Sequence, residues 1–134
     1  MKIAVSAVRG HLDASVDPRF GRCAYFLIVD TDTMEFEVIE NAAAMAAGGA
    51  GIQAAQTVAN AGAKAVVTGN VGPNAFQTLS SLGVKIYTGA SGTVRQAVEQ
   101  FKKGELTEST AATVGGHFGM RGGGGGRGGG RWIR

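Results

Sequence analysis

The chain has 134 residues, and 44% of them are hydrophobic, which is enough for one buried core. Its single cysteine, Cys23, excludes both an internal disulfide framework and a four-thiolate metal site. No apolar run approaches the ~20 residues of a membrane span, and the first residues lead straight into a predicted strand. We therefore expect a cytoplasmic protein with no membrane partner.

The net charge of +3 is unevenly distributed along the chain. Residues 1–114 contain nine basic and ten acidic side chains, whereas residues 115–134 contain four arginines and no acid. Eleven of those last twenty residues are glycine, a composition that buries too little apolar surface to fold alone. The sequence predicts a folded domain over residues 1–114 and a disordered Gly/Arg-rich tail over residues 115–134.

The first forty residues predict three strands. Residues 2–7 form a short β-rich run. Residues 25–30 are almost continuously apolar, as in a strand covered on both faces. Residues 34–40 alternate between apolar and acidic side chains, which suits a half-exposed outer strand. The 31–33 turn between the last two is too short for a crossover, so these strands form an antiparallel hairpin.

The second half alternates between strands and helices. Strands are expected at 65–68 and 84–87, and helices follow the small-residue segment 41–51, the Gly69–Gly72 turn and the 88–93 loop. Alternation of this kind implies parallel strands with right-handed crossovers. We predict a three-layer α/β/α fold with a mixed five-stranded sheet of order 3-2-1-4-5, in which strand two is antiparallel, and about three helices.

This topology brings several loops to one edge of the sheet, where open α/β folds bind ligands. We expect three helix N-termini there, each offering backbone N–H groups and the positive end of a helix dipole. Two nearby guanidinium groups add positive charge, and few acids occur in these loops. The sequence therefore predicts an anion site rather than a divalent-cation site, formed by Arg19, Arg22, Cys23, Gly49, Gly51, Asn70, Gly72 and Asn74.

Two side chains are candidate metal ligands. Cys23 stands at the entrance to a buried strand, where it serves either as a small hydrophobe or as a thiolate ligand. His117 lies beyond the predicted core, on a segment long enough to reach back to the site. No base, nucleophile pair or acid dyad can be assembled from the loops, so we do not expect an enzyme.

A family resemblance rests on five short segments in order: Asp17-Pro18-Arg19-Phe20-Gly21-Arg22, Tyr25-Phe26, Glu40-Asn41, Gly48-Gly49-Ala50-Gly51 and Gly72-Pro73-Asn74-Ala75-Phe76. Together they resemble the dinitrogenase iron-molybdenum cofactor biosynthesis domain family over about residues 1–105. The resemblance implies a ribonuclease-H-like α/β/α fold. It also implies a small carrier of an anionic metal–sulfur cluster, of Fe–S or Mo-containing type, or of its precursor, with cofactor-assembly proteins as partners.

One segment departs from the family pattern. Members of the nitrogenase pathway usually show His-Phe-Gly where this chain has Arg19-Phe20-Gly21, and that histidine is the expected cluster ligand. An arginine can pair with an anionic cluster but has no lone pair to coordinate a metal. Either Cys23 takes over the ligand role or no side chain does.

The tail supports an alternative function. Its Arg-Gly repeats and Trp132 are typical of segments that bind single-stranded nucleic acid by charge and stacking. The predicted core lacks the carboxylate cluster needed for two-metal catalysis on nucleic acid. A nucleic-acid-interacting protein that acts through its tail is thus the second function that the sequence suggests.

Overall fold

The computed structural model describes residues 1–45 and 48–113. The strands are β1 Lys2–Ala7, β2 Tyr25–Asp30, β3 Phe36–Glu40, β4 Ala65–Val67, β5 Lys85–Thr88 and β6 Thr107–Glu108. The helices are α1 Ala50–Asn60, α2 Pro73–Ser81 and α3 Val94–Lys102, and two short 3-10 turns cover Phe20–Arg22 and Ala42–Met45. The predicted tail over 115–134 and its candidate ligand His117 lie outside the described residues.

The strands form one mixed sheet of order β3-β2-β1-β4-β5-β6. β2 runs antiparallel to both β1 and β3, whereas β1, β4 and β5 are parallel, as predicted. The predicted number of five strands was wrong, because β6 pairs antiparallel with β5 at the register Thr88↔Thr107. Both β6 residues are exposed, so the segment shows no apolar pattern that would predict a strand.

Helices cover both faces of the sheet, which confirms the three-layer architecture. α1 and α2 pack on one face, where Ala54, Val58 and Leu79 join strand residues such as Phe26 in a core cluster. α3 packs on the other face, where Val94 joins a second cluster. Because β1, β2 and β4 are covered on both sides, the side chains of residues 3–7, 26–29 and 65–67 are all buried whichever way they point.

The outer strand β3 is shorter than predicted. It starts at Phe36 because Met34 has a φ of 65°, a left-handed conformation that belongs to the preceding turn. The apolar–acidic alternation predicts that Phe36 and Val38 form the covered face of this strand, but they are 41% and 42% exposed, and it is Ile39 that packs partly against the core. In residues 1–45 and 48–113, no helix is long and apolar enough to cross a membrane.

Candidate cofactor-binding site

The site lies at the carboxyl ends of β1 and β4, where the direction of the sheet connections changes. Two fully buried hydroxyl groups meet at this point, with Ser6 Oγ 2.7 Å from Thr68 Oγ1. Ser6 Oγ also donates a hydrogen bond of 2.6 Å to the carbonyl oxygen of Asp17. The loop that begins at Asp17 is therefore fixed to the junction of the two central strands.

Residues 18–20 run beside the turn that follows β4. The backbone N–H of Asn70 donates to the Pro18 carbonyl at 2.8 Å, and the N–H of Phe20 donates to the Asn70 carbonyl at 3.4 Å. A Cβ atom on Gly69 would lie only 2.7 Å from Pro18 Cα, so this approach requires a glycine. The contact brings together two predicted site residues from distant parts of the sequence, Arg19 and Asn70.

The first turns of α1 and α2 are in contact with each other. A Cβ atom on Gly51 would lie 3.1 Å from Ala75 Cβ, and one on Gly21 would lie 3.1 Å from Gly51 Cα. Neither helix start receives a side-chain cap in the described chain, and Gly49 precedes α1 with a φ of 75°. Within residues 1–45 and 48–113, two adjacent helix N-termini thus keep N–H donors without a hydrogen-bond partner, although Pro73 removes one donor from α2.

The start of α3 is different, and the expectation of three open helix starts is wrong for it. The backbone N–H groups of Val94 and Arg95 donate to the carbonyls of Ala14 and Leu12, both at 2.8 Å. Thr93 and Gln96 form a capping box that satisfies the next donor. α3 also lies on the face of the sheet opposite to α1 and α2, so its start is not part of the paired helix starts.

Both predicted anion-binding arginines have partners within the protein. Nε and Nη2 of Arg19 lie 3.3 and 3.4 Å from the carboxylate oxygens of Asp17, which is buried. Nη1 of Arg22 donates a 2.9 Å hydrogen bond to the Ala44 carbonyl and so braces the segment that precedes α1. The Asp17 charge offsets that of Arg19, so the site carries less positive charge than the sequence predicts.

Cys23 lies in the core behind the site. Its Sγ is fully buried and donates a 3.3 Å hydrogen bond to the Phe20 carbonyl. Burial first, and the charge of Asp17 second, raise the pKa of the thiol well above its ordinary value of 9.0. Metals bind the thiolate, and this environment favours the protonated thiol. Within the described part of the chain, no three His, Cys, Asp or Glu side chains are grouped as a metal site.

The remaining predicted residues surround the paired helix starts. Asn70 is half-buried beside Arg19, Gly72 immediately precedes α2, and Asn74 is exposed in the first turn of α2. None of the six predicted residues Arg19, Gly49, Gly51, Asn70, Gly72 and Asn74 belongs to the interior of the sheet.

Sequence reasoning assigned no role to Asp17 or Asn41. Asp17 accepts the backbone N–H of Arg19 at 2.9 Å, an Asx turn that the Asp-Pro-Arg order favours. Nδ2 of Asn41 donates to the carbonyls of Gly21 and Cys23, at 3.2 and 2.9 Å, and holds the Phe20–Arg22 turn in place. These partners are distant in sequence, so no local pattern predicts the Asn41 contacts.

Fold and site define a small α/β protein in which two adjacent helix starts and the partly exposed side chain of Arg19 lie at one edge of the sheet. The family model described as dinitrogenase iron-molybdenum cofactor matches residues 1–104. The chain belongs to this family. The protein MJ0580 of Methanocaldococcus jannaschii is 33% identical over 109 residues, which is 79% of this chain and 89% of that protein.

Solved structures of similar proteins share the fold. The apo form of the orange protein from Desulfovibrio gigas is 44% identical, with a TM-score of 0.82, over 84% of this chain and 96% of that one. The NMR structure of the Thermotoga protein TM1290 is 39% identical, with a TM-score of 0.74, over 84% of this chain and 97% of that one. Each match covers nearly the whole of the solved chain and 84% of this one.

Proposed function

We propose that this protein is a cytoplasmic carrier that binds an anionic metal–sulfur cluster, or a precursor such as tetrathiomolybdate, without a coordinating side chain. The cargo would contact the N–H groups at the starts of α1 and α2 and the guanidinium of Arg19. The main observation in its support is that the uncapped starts of α1 and α2 are in contact, through Gly51 of α1 and Ala75 of α2. Paired helix dipoles attract an anion more strongly than one alone.

The chemistry of the surrounding residues supports non-covalent binding. Sulfide-rich clusters are anions that accept hydrogen bonds at sulfur, and backbone N–H groups supply such bonds. Arg19 retains 42% exposure of its side chain despite its contact with Asp17, so part of its guanidinium faces outward. Cys23 would act as packing beneath the site rather than as a ligand, because burial raises the pKa of its thiol and so favours the protonated form.

The relatives support the same class of cargo. The family to which the chain belongs is described by the iron-molybdenum cofactor of dinitrogenase, and the orange protein, whose apo form is 44% identical in sequence, has the same fold. A carrier also needs a donor and an acceptor, and proteins of cofactor assembly are the partners that this cargo implies.

A charge placed at the start of α2 tests the proposal. Asn74→Asp adds an acidic side chain to the first turn of α2, where it should raise helix stability but repel an anion. We expect weaker binding of tetrathiomolybdate, measured by absorption titration in the absence of oxygen, with an unchanged or higher Tm.

The matched control is Gln96→Glu, which adds the same charge to the first turn of α3 and preserves the acceptor of its capping box. This variant should bind tetrathiomolybdate as the parent does, because α3 lies on the other face. Equal affinity of Asn74→Asp and the parent protein would refute the proposed site.

A further inference from the structure

β3 forms one edge of the sheet, and in the described chain no strand lies on its outer side. Hydrogen bonds at both ends of the β2–β3 pair show which backbone groups point inward. The N–H of Asp30 donates to the Glu35 carbonyl at 2.8 Å, and the N–H of Asn41 donates to the Ala24 carbonyl at 2.9 Å. Because bonded and non-bonded pairs alternate in an antiparallel ladder, every second residue of β3, starting at Phe36, directs its N–H and C=O groups away from β2.

The residues with outward backbone groups are Phe36, Val38 and Glu40. Within residues 1–45 and 48–113, no hydrogen bond outside the sheet involves their N–H or carbonyl groups. Donors and acceptors at alternate residues form the regular pattern to which another extended chain can pair. The outer side of β3 is therefore open to an additional strand.

The apolar side chains of this edge lie on one face of the sheet. Phe36 pairs with Val29, and Val38 pairs with Leu27. Both partners belong to the core cluster beneath α3, so Phe36 and Val38 lie on the α3 face. α3 packs over the central strands β1 and β4, and both side chains remain exposed. The α3 face thus ends in an uncovered apolar row.

Acidic side chains surround this row. Glu35 and Glu37 lie on the other face of the strand, on the same side as Ile39, and Glu40 follows the apolar row at its end. All three glutamates are exposed, and in the described part of the chain none of them forms an ion pair. Residues 34–41 contain no Lys or Arg. The edge therefore combines open backbone groups with an unbalanced negative charge.

The charge argues against a second copy of this chain as the occupant of the edge. Antiparallel pairing of two β3 strands would bring together three glutamates from each copy and no basic side chain, and like charges on paired strands destabilise a sheet. A segment with alternating apolar and basic residues fits better. Its apolar side chains would lie opposite Phe36 and Val38, and its basic side chains opposite Glu35 and Glu37.

We propose that β3 is the docking edge for a partner protein, which adds an extended segment of alternating apolar and basic residues to the sheet. The outward backbone groups supply hydrogen bonds, and the glutamates select a basic partner. β3 runs in the same direction as β1, so its end at Glu40 lies at the edge of the sheet where the candidate site is found. Docking on β3 does not depend on the proposed cargo.

The first test titrates the isotope-labelled, full-length protein with a short blocked peptide in which Lys and Val alternate. A matched peptide has Pro in place of its central Val, which keeps every charge but removes one backbone donor. We expect the Lys–Val peptide to slow hydrogen exchange at the amides of Phe36, Val38 and Glu40, measured by NMR. The Pro peptide should bind roughly fivefold more weakly, as expected for the loss of one hydrogen bond.

The second test changes the charge of the protein. Glu35→Lys combined with Glu37→Lys reverses the acidic row of β3. The matched control combines Glu99→Lys with Glu105→Lys, the same change of charge at exposed positions away from β3. We expect the first variant to bind the Lys–Val peptide roughly tenfold more weakly, and the control to change about twofold or less. Tm is measured for each variant, and the peptide comparison on the parent requires no substitution.

Unchanged exchange at the three outward amides would overturn the inference, as would equal binding of the two peptides or equal losses in the two charge variants. Dimerisation of the parent that Val38→Pro abolishes would overturn it in favour of a second copy. Tetrathiomolybdate is absent from these titrations, so a failure of the proposed function would not alter the expected peptide binding.

Discussion

The carboxylate of Asp17 binds both the backbone N–H and the guanidinium of Arg19, two residues further along the chain. Asp17 is buried, whereas the Arg19 side chain remains partly exposed. The backbone carbonyl of Asp17 accepts a hydrogen bond from Ser6 Oγ, near the end of β1. One residue thus links the central strand to the arginine at the site, and at the same time reduces the positive charge that this arginine presents.

Replacement of Asp17 by Asn tests this link. The variant keeps the side-chain volume but gives up the charged acceptor, and we expect the free energy of unfolding to fall by about 1.5 kcal/mol, since hydrogen bonds to charged groups contribute more than neutral ones. Urea unfolding provides the measurement. Asp13→Asn is the control, because it removes the exposed ion pair with Arg95, which should change stability little. Equal stability of Asp17→Asn and the parent would contradict the assigned role.

We expect any side chain at Gly69 to lower the stability of the fold. Its Cβ would meet Pro18 Cα at 2.7 Å and Pro18 Cβ at 2.8 Å, and neither atom belongs to a flexible side chain. We expect Gly69→Ala to lose about 1–3 kcal/mol in the free energy of unfolding, as overpacked positions do. Gly48→Ala serves as the comparison, because no atom of the described residues lies within 4 Å of a Cβ there. Similar urea midpoints for the two variants would contradict the prediction, because they would mean that the loop at Pro18 shifts to make room for the added methyl group.

Cys23 should make stability depend on alkaline pH. The unfolded chain loses the thiol proton near pH 9, whereas burial raises the pKa of the folded thiol above that value. Above pH 9 the unfolded chain therefore binds fewer protons than the folded one, and stability falls as pH rises. We expect a decrease of up to about 1.4 kcal/mol per pH unit from this group.

Urea unfolding at pH 8, 9 and 10 measures this dependence, with Cys23→Ala as the variant that lacks the group. The variant should be less stable at pH 8 and should show a shallower decline above pH 9. Parallel declines in the two proteins would mean that the folded thiol ionises as readily as the unfolded one.

Asn41 should be essential for the turn that carries Gly21. Its amide donates to the carbonyls of Gly21 and Cys23, and the side chain is only 5% exposed. Asn41→Ala leaves both carbonyls without this donor, and we expect a loss of about 2–4 kcal/mol. Asn60→Ala, at the exposed end of α1, should leave stability nearly unchanged or raise it slightly. A difference of less than 0.5 kcal/mol between these variants, a margin typical of surface substitutions, would contradict the prediction.

The sheet was predictable because the hydrophobic pattern of the sequence distinguishes a central strand from an outer one. The continuous apolar run at Tyr25–Asp30 and the alternation around Phe36 and Val38 identified a central and an outer strand. Turn length then determined strand direction. β6 escaped prediction because pairing of Thr107 and Glu108 uses backbone groups only and leaves their side chains exposed.

The sequence predicted that the starts of α1 and α2 lie at the same edge of the sheet, but not the electrostatic partners of the side chains near them. Glycines and Pro73 indicated where helices start, and topology gave the edge at which those starts meet. The partners of Arg19, Arg22 and Cys23 depend on tertiary contacts with buried or distant groups, which spacing does not record. The closed start of α3 is a partial exception, since the order Thr93-Val94-Arg95-Gln96 is a capping-box sequence.

The first N–H groups of α3 are already bonded to carbonyls of residues 12 and 14, whereas, within the described residues, those of α1 and α2 are not, and this asymmetry affects how a bound anion would be released. With the open starts of α1 and α2 on one face, the cargo of the proposed carrier would contact the folded domain from a single side. Transfer of that cargo to a receiving protein would then require two surfaces to meet rather than a domain to open. The rate of such a transfer would depend on competition among hydrogen-bond donors, with no movement needed in the sheet beneath.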